Sequence, residues 1–101
     1  MVQEIDNIES IKKGNVLVDF YTSTCHPCKM LAPVLEEISQ EFQNIKVAKV
    51  EVTKNPTASQ MFGIMSVPTL MFMRDSQVKE IQRGFSNKQS IKDMIIRHVD
   101  D

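Results

Sequence analysis

The chain has no tryptophan, one tyrosine, three glycines and two cysteines among its 101 residues. Each scarcity excludes something. With 12 basic against 13 acidic residues and a net charge of −1, the signs are interspersed. No basic stripe or interleaved aromatic set marks a nucleic-acid partner. No apolar run approaches the ~18 residues of a membrane span. Two cysteines close in sequence do not make a secreted disulfide scaffold. Met1-Val2-Gln3-Glu4-Ile5-Asp6 is acidic and mixed, not the pattern of a signal peptide. The simplest compartment is therefore the cytoplasm. There are no repeats, low-complexity segments or linkers, and the length implies one domain spanning residues 1–101. Apolar content of 42% and charged content of 25% are ordinary for a globular chain.

What is present begins with the two cysteines, spaced Cys25-His26-Pro27-Cys28. They follow the apolar run Val16–Tyr21 and precede the stripe Leu31, Val34, Leu35, Ile38, Phe42, which has helical spacing. A Cys-x-x-Cys at a strand-to-helix junction reads as a redox dithiol. Cys25 falls at the helix N-terminus, where unpaired N–H groups favour an anion. Cys28 falls one turn in on the same face. The pair can close a small disulfide and reopen it.

The rest of the chain supplies alternating elements. Val2 to Ile5 suits a short edge strand. Asp6 to Lys13 reads as a short helix with Asp6 and Glu9 at capping-box spacing and Gly14 at its end. Val16 to Tyr21, apolar on both faces except at Asp19, suits a central strand. Pro33 lies inside the long helix and is expected to kink it. Ile45 to Val52 reads as a strand, Asn55-Pro56 as a turn, and Ala58 to Phe62 as a short helix ended by Gly63. Pro68 opens the strand Leu70 to Met73. A hairpin turn at Arg74 to Gln77 leads into Val78 to Arg83, and Asn87 to Asp100 forms the last helix. The order β-α-β-α-β-α-β-β-α implies an α/β fold, a mixed central β-sheet flanked by helices on both faces. Most of the seven methionines, such as Met71 and Met94, are expected to pack in the core.

These features together resemble the thioredoxin family over essentially the whole length. The matching stretches are Val18-Asp19-Phe20, Cys25 to Met30, Ala32-Pro33, Val47-Ala48-Lys49, Asn55-Pro56, Val67-Pro68-Thr69-Leu70 and Gly84. The resemblance implies the thioredoxin fold, disulfide exchange with disulfide-containing client proteins, and re-reduction by a separate thioredoxin reductase. It implies electron transport by the dithiol alone, without a cofactor. A monomer is expected. Three positions depart from the family pattern: Tyr21 and Thr24 stand where tryptophan is usual, and His26 where glycine is usual.

The residues then take roles. Cys25 is the nucleophile. Lowering a thiol from ~8.5 to the family's own value near ~7 raises the thiolate fraction roughly fifteen-fold. The accompanying loss of nucleophilicity leaves a gain of about three-fold, so holding the substrate in line contributes more. Cys28 resolves the mixed disulfide and must first lose a proton. Asp19, six residues before Cys25 and among apolar neighbours, is the candidate base, because desolvation raises a carboxyl pKa. The resemblance identifies it with the family's buried aspartate and Lys49 with the lysine near it. Two plainer readings stand beside these: Asp19 as a structural carboxylate paired with Lys49, and Lys49 as a solvated strand residue.

His26 has three readings: a cation that stabilises the Cys25 thiolate and makes the protein more oxidising, a docking residue, or an exposed histidine. Thr24 removes an apolar platform beside the thiol. By resemblance Pro68 is a cis-proline against the dithiol, and the Val67 backbone pairs with a substrate strand. Gly84 borders that groove, with Pro27 and Val52 adding apolar surface; otherwise Gly84 is a plain strand-end turn. Cys25, His26, Cys28 and His98 are the only cysteine and histidine residues, and with no second pair at finger spacing no zinc site is expected. Other readings are a disulfide isomerase or weak oxidant tuned by His26, and a non-catalytic interaction module on the same fold.

Overall fold

The structure, a computed structural model, describes residues 1–99. Its five strands are β1 (Gln3–Glu4), β2 (Asn15–Tyr21), β3 (Lys46–Glu51), β4 (Thr69–Arg74) and β5 (Gln77–Arg83). Three α-helices are α1 (His26–Glu41), α2 (Pro56–Met61) and α3 (Lys88–His98). A short 3₁₀ segment, Ile8–Ile11, joins β1 to β2. The sheet order is β1-β3-β2-β4-β5. The first three of these strands run parallel, and β4 and β5 add as an antiparallel hairpin. This is the expected mixed sheet.

Strand β2 is central because it is apolar on both faces. Leu17 points into one core with Leu31, Leu35 and Ile38 of α1 and Ile91, Met94 and Ile95 of α3. Val16, Val18 and Phe20 point into the other, with Ile11, Val50, Met71 and Met73. Both sets are almost fully buried. Shortening Leu35 or Ile38 to Ala is expected to cost roughly 2–5 kcal/mol. On the α1 side the period of two that buries Leu17 also turns Asp19 toward α1, and that one polar position prepares the site.

Some expectations are corrected. The first helix is 3₁₀, and its cap is Asn7 rather than Asp6: the Asn7 side chain accepts the Glu9 N–H at 2.9 Å. An Asx side chain satisfies an N–H two residues on, which Asp6 is one residue too early to do. Pro56 is the first residue of α2 rather than part of a preceding turn, because a missing N–H costs nothing there. Helix α1 continues through Pro33 from His26 to Glu41. The last helix ends at His98; Asp100 lies outside the described residues. Met71, Met73 and Met94 are core residues, but Met1, Met30, Met61 and Met65 are exposed. Their helical or strand neighbours gave the pattern; loop and helix-outer positions took four of the seven outside.

Candidate active site

Cys25 is the N-cap of α1, with extended backbone, and its Sγ accepts the Cys28 N–H at 3.2 Å. The same sulfur is bonded to Cys28 as a disulfide, with the Cα atoms 5.2 Å apart. The two ends of this bond are unequal. Cys25 is half-buried, whereas Cys28 is 4% exposed. Pro27 fits the first turn without loss because its absent N–H has no intrahelical partner there. Thr24, His26 and Pro27 are exposed around the sulfurs.

Behind Cys28 lies a cleft of about 210 Å³ lined by Asp19, Tyr21, Thr22, Cys28, Ala32 and Lys49, among others. Asp19 is 3% exposed, and its Oδ1 is buried with no hydrogen-bond partner among the described residues. Burial pushes its carboxyl up to about 7, against the lowering charge of Lys49 and with the raising charge of Glu4. Lys49 stands beside Asp19 in the β2–β3 register. Yet its ammonium lies 3.7 Å from Glu4 Oε1 and 5.5 Å from the centre of the Tyr21 ring. Among the described residues Lys49 makes its ion pair with Glu4, the carboxylate that remains half in water, and acts on Asp19 only through its charge.

The Val67–Pro68 peptide is cis. The Thr69 hydroxyl donates to the Ser66 carbonyl at 2.8 Å, and the Gly84 N–H donates to the Pro68 carbonyl at 2.8 Å. Gly84 is left-handed, with φ +85°, a conformation other residues adopt at a cost. It ends β5, and its N–H ties that end to the proline loop. Thr22, Val52, Ile64, Met65, Ser66 and Val67 line an open groove of about 220 Å³. Thr22 borders both this groove and the Asp19 cleft, and its carbonyl accepts the Cys25 N–H at 3.3 Å. Thr24, Cys25, His26, Pro27 and Cys28 thus lie at the start of α1, Asp19 and Lys49 line the cleft behind Cys28, and Val52 and Val67 line a groove that shares Thr22 with that cleft. Pro68 and Gly84 adjoin that groove through Val67 and the hydrogen bond between them. His98 lies elsewhere, stacked on Phe72 and bonded to Glu80. Among the described residues no cluster of three His, Cys, Asp or Glu side chains is arranged to hold a metal.

Two participants escaped sequence reading. Glu4 sits on β1, and Tyr21 was noticed only as a departure from a pattern. The Tyr21 hydroxyl donates to Glu4 Oε1 at 2.5 Å. Only the β1–β3–β2 register brings them together. The available signal was the alternation that puts Tyr21 on the same face as Asp19.

This arrangement has counterparts. The thioredoxin family profile matches residues 3–97. The chain is 40% identical to the thioredoxin of Bacillus subtilis over 88 residues, which cover 86% of this chain and 85% of that one. It is 39% identical to the thioredoxin of Listeria monocytogenes over 103 residues, covering 98% and 100%. A mutant thioredoxin from Halobacterium salinarum superposes with a TM-score of 0.90 at 28% identity, over 97% of this chain and 90% of the other. The Fasciola hepatica thioredoxin superposes with a TM-score of 0.81 at 30% identity, over 90% and 86%. A dithiol capping α1, a buried aspartate lining the cleft behind Cys28 and a cis Val67–Pro68 peptide thus accompany relatedness along nearly the whole chain, which belongs to the thioredoxin family.

Proposed function

We propose that the protein-disulfide reductase activity of this thioredoxin-family chain runs through Cys25 as nucleophile, Cys28 as resolving thiol and Asp19 as proton carrier. The observation that supports it best is the inequality of the two sulfurs. Cys25 is reachable and caps a helix, while Cys28 is buried against the Asp19 cleft. In the reduced protein the Cys25 thiolate attacks one sulfur of a client disulfide. A mixed disulfide forms and the client's other sulfur leaves as a thiolate. Asp19, ionised, takes the proton of the Cys28 thiol, directly or through a water, for which the cleft has room. The Cys28 thiolate attacks Cys25 Sγ, closes the Cys25–Cys28 disulfide and releases the second client thiolate. Two electrons have passed to the client, and a thioredoxin reductase returns two to the chain.

Thr24, His26 and Pro27 form the rim that meets the client. Val67 offers backbone hydrogen bonds to a client strand beside Pro68, in the manner of strand addition, and the left-handed Gly84 holds that loop. Lys49 adjusts the field at Asp19. We read residues 1–101 as one monomeric domain, supported by a single sheet and a family match over residues 3–97. No helix among the described residues is long and apolar enough to cross a membrane. A cytoplasmic electron carrier is the setting we propose, in keeping with the named bacterial relatives. The test is mixed-disulfide trapping with a disulfide-bonded protein such as insulin. Cys28→Ser should accumulate a covalent adduct through Cys25, and Cys25→Ser should form none. An adduct carried by Cys28 instead would reverse the assignment.

A further inference from the structure

Three adjacent strands place three charged residues on one rung. In the parallel register Glu4 of β1 stands opposite Lys49 of β3, and Lys49 stands opposite Asp19 of β2. The ammonium therefore has a carboxylate on each side and serves one of them. It goes to the sheet edge, 3.7 Å from Glu4 Oε1 and 5.5 Å from the Tyr21 ring centre. Tyr21, two residues beyond Asp19 on the same face, fixes that choice by donating its hydroxyl to the same Glu4 oxygen at 2.5 Å. Asp19 Oδ1 has no hydrogen-bond partner among the described residues.

Energetics favour this division. Moving Lys49 onto Asp19 would further desolvate a side chain that is now 37% exposed. At the edge it keeps water, a carboxylate and an aromatic ring.

We propose that Glu4 is a positioning residue for the resolving step: clamped by Tyr21, it retains the Lys49 ammonium and so keeps Asp19 without a counter-ion. The proposal rests on reading Asp19 as the proton carrier of Cys28. A carboxylate tied to a lysine is a poor base, because the ion pair stabilises its charged form. A carboxyl that is buried and unpaired takes and returns a proton near neutrality. The raising influence of Glu4 and the opposing one of Lys49 at Asp19 agree with that balance. The other groups facing Asp19 are Cys28, Lys29 and Glu36 from α1, which line the two clefts that meet at the carboxyl. Its β4 neighbour, Leu70, is apolar.

The test reads Asp19 itself, by carbon NMR titration of its carboxyl in the reduced full-length protein, alongside the pH profile of mixed-disulfide resolution. In Glu4→Gln the midpoint should fall by roughly half a unit, the size of one half-exposed charge acting across a few ångströms. Tyr21→Phe should move it the same way by less. In a Lys49→Gln background, Glu4→Gln should have a distinctly smaller effect, since no ammonium remains to be released. An unchanged midpoint in Glu4→Gln would overturn the proposal. An equal fall with and without Lys49 would also overturn it, leaving only the bare field of Glu4. The pH profile of resolution should track the titration. If Asp19→Asn resolves mixed disulfides with the wild-type rate and profile, the proton-carrier reading fails and the link to catalysis with it. Whether Glu4 sets the partner of Lys49 is decided by the titration alone.

Discussion

The backbone N–H of Cys28 donates to Cys25 Sγ at 3.2 Å, so the first turn of α1 is capped by the sulfur that has to become an anion. On reduction the same N–H, with the helix dipole behind it, faces a thiolate and stabilises it. Cys28 has no such place and is buried. The reduced protein should therefore react unevenly with iodoacetamide at pH 7. Alkylation at Cys25 should be at least about ten-fold faster than at Cys28, because both thiolate fraction and access favour it. Peptide mapping of the reduced, briefly alkylated protein measures the ratio. Equal labelling would remove the basis for distinguishing the two sulfurs.

His26 is the first residue of α1, exposed and adjacent to the capping sulfur. A cation there stabilises the thiolate of the reduced form and makes the couple more oxidising. One pKa unit of thiolate stabilisation is worth about 1.4 kcal/mol, which is about 30 mV in this two-electron couple. His26→Gly should accordingly be more reducing by tens of millivolts. Equilibration of both proteins in a defined thiol buffer measures the difference. A potential that stays constant or rises in the variant contradicts the electrostatic role.

Glu80 joins β5 to α3. Its carboxylate accepts two hydrogen bonds from Arg97, at 3.2 and 2.7 Å, and lies 2.7 Å from His98 Nε2. The Arg97 hydrogen bond, followed by that of His98, pulls its pKa from 4.5 down to about 2. The folded pKa is below the unfolded one, so the stabilisation is complete above pH 4.5 and disappears as pH falls toward 2. Because Arg97 is half-exposed, water screens the pair and about 1 kcal/mol is a fair size. Glu80→Gln should lose about that much at pH 7 and nothing near pH 2 in urea unfolding. A loss that is the same at both pH values would mean packing, not charge, holds the contact.

Much of this architecture was legible because the signals are local. The α1 stripe, the doubly apolar β2 and the Cys25–Cys28 spacing each need only neighbouring residues. Asp19 stood out because it interrupts an apolar run. What was not legible depended on register. Nothing in the sequence says that Glu4 lies opposite Lys49, or that Tyr21 reaches Glu4, since the three come from separate strands. The Asn7 cap was missed for a smaller reason: two Asx residues stood in a row, and the capping-box spacing pointed to the wrong one. Met30 and Met61 were misjudged because hydrophobicity alone does not report which face of α1 or α2 a residue occupies, and Met1 and Met65 lie outside any element that would bury them.

Asp19 also makes a prediction about stability, with the opposite sign to Glu80. Burial raises its pKa from 3.8 to about 7. The folded state therefore binds a proton more tightly than the unfolded chain, and keeping the carboxyl charged at high pH costs free energy. Below pH 4 Asp19 is neutral in both states and contributes nothing. Between pH 4 and 7 stability falls, and above 7 the deficit is constant, at most about 4 kcal/mol. Asp19→Asn keeps the shape and removes the ionisation. It should be more stable than the wild type at pH 8 by an amount that vanishes toward pH 4, while resolving mixed disulfides more slowly. Guanidinium unfolding of the oxidised proteins at several pH values measures the first effect, and single-turnover kinetics the second. A variant less stable than the wild type at pH 8 would show that the carboxylate is held by favourable contacts and is not a strained, unpaired charge. The expected outcome, greater stability with poorer turnover, would mean that this chain keeps a destabilising group in its core for its chemistry.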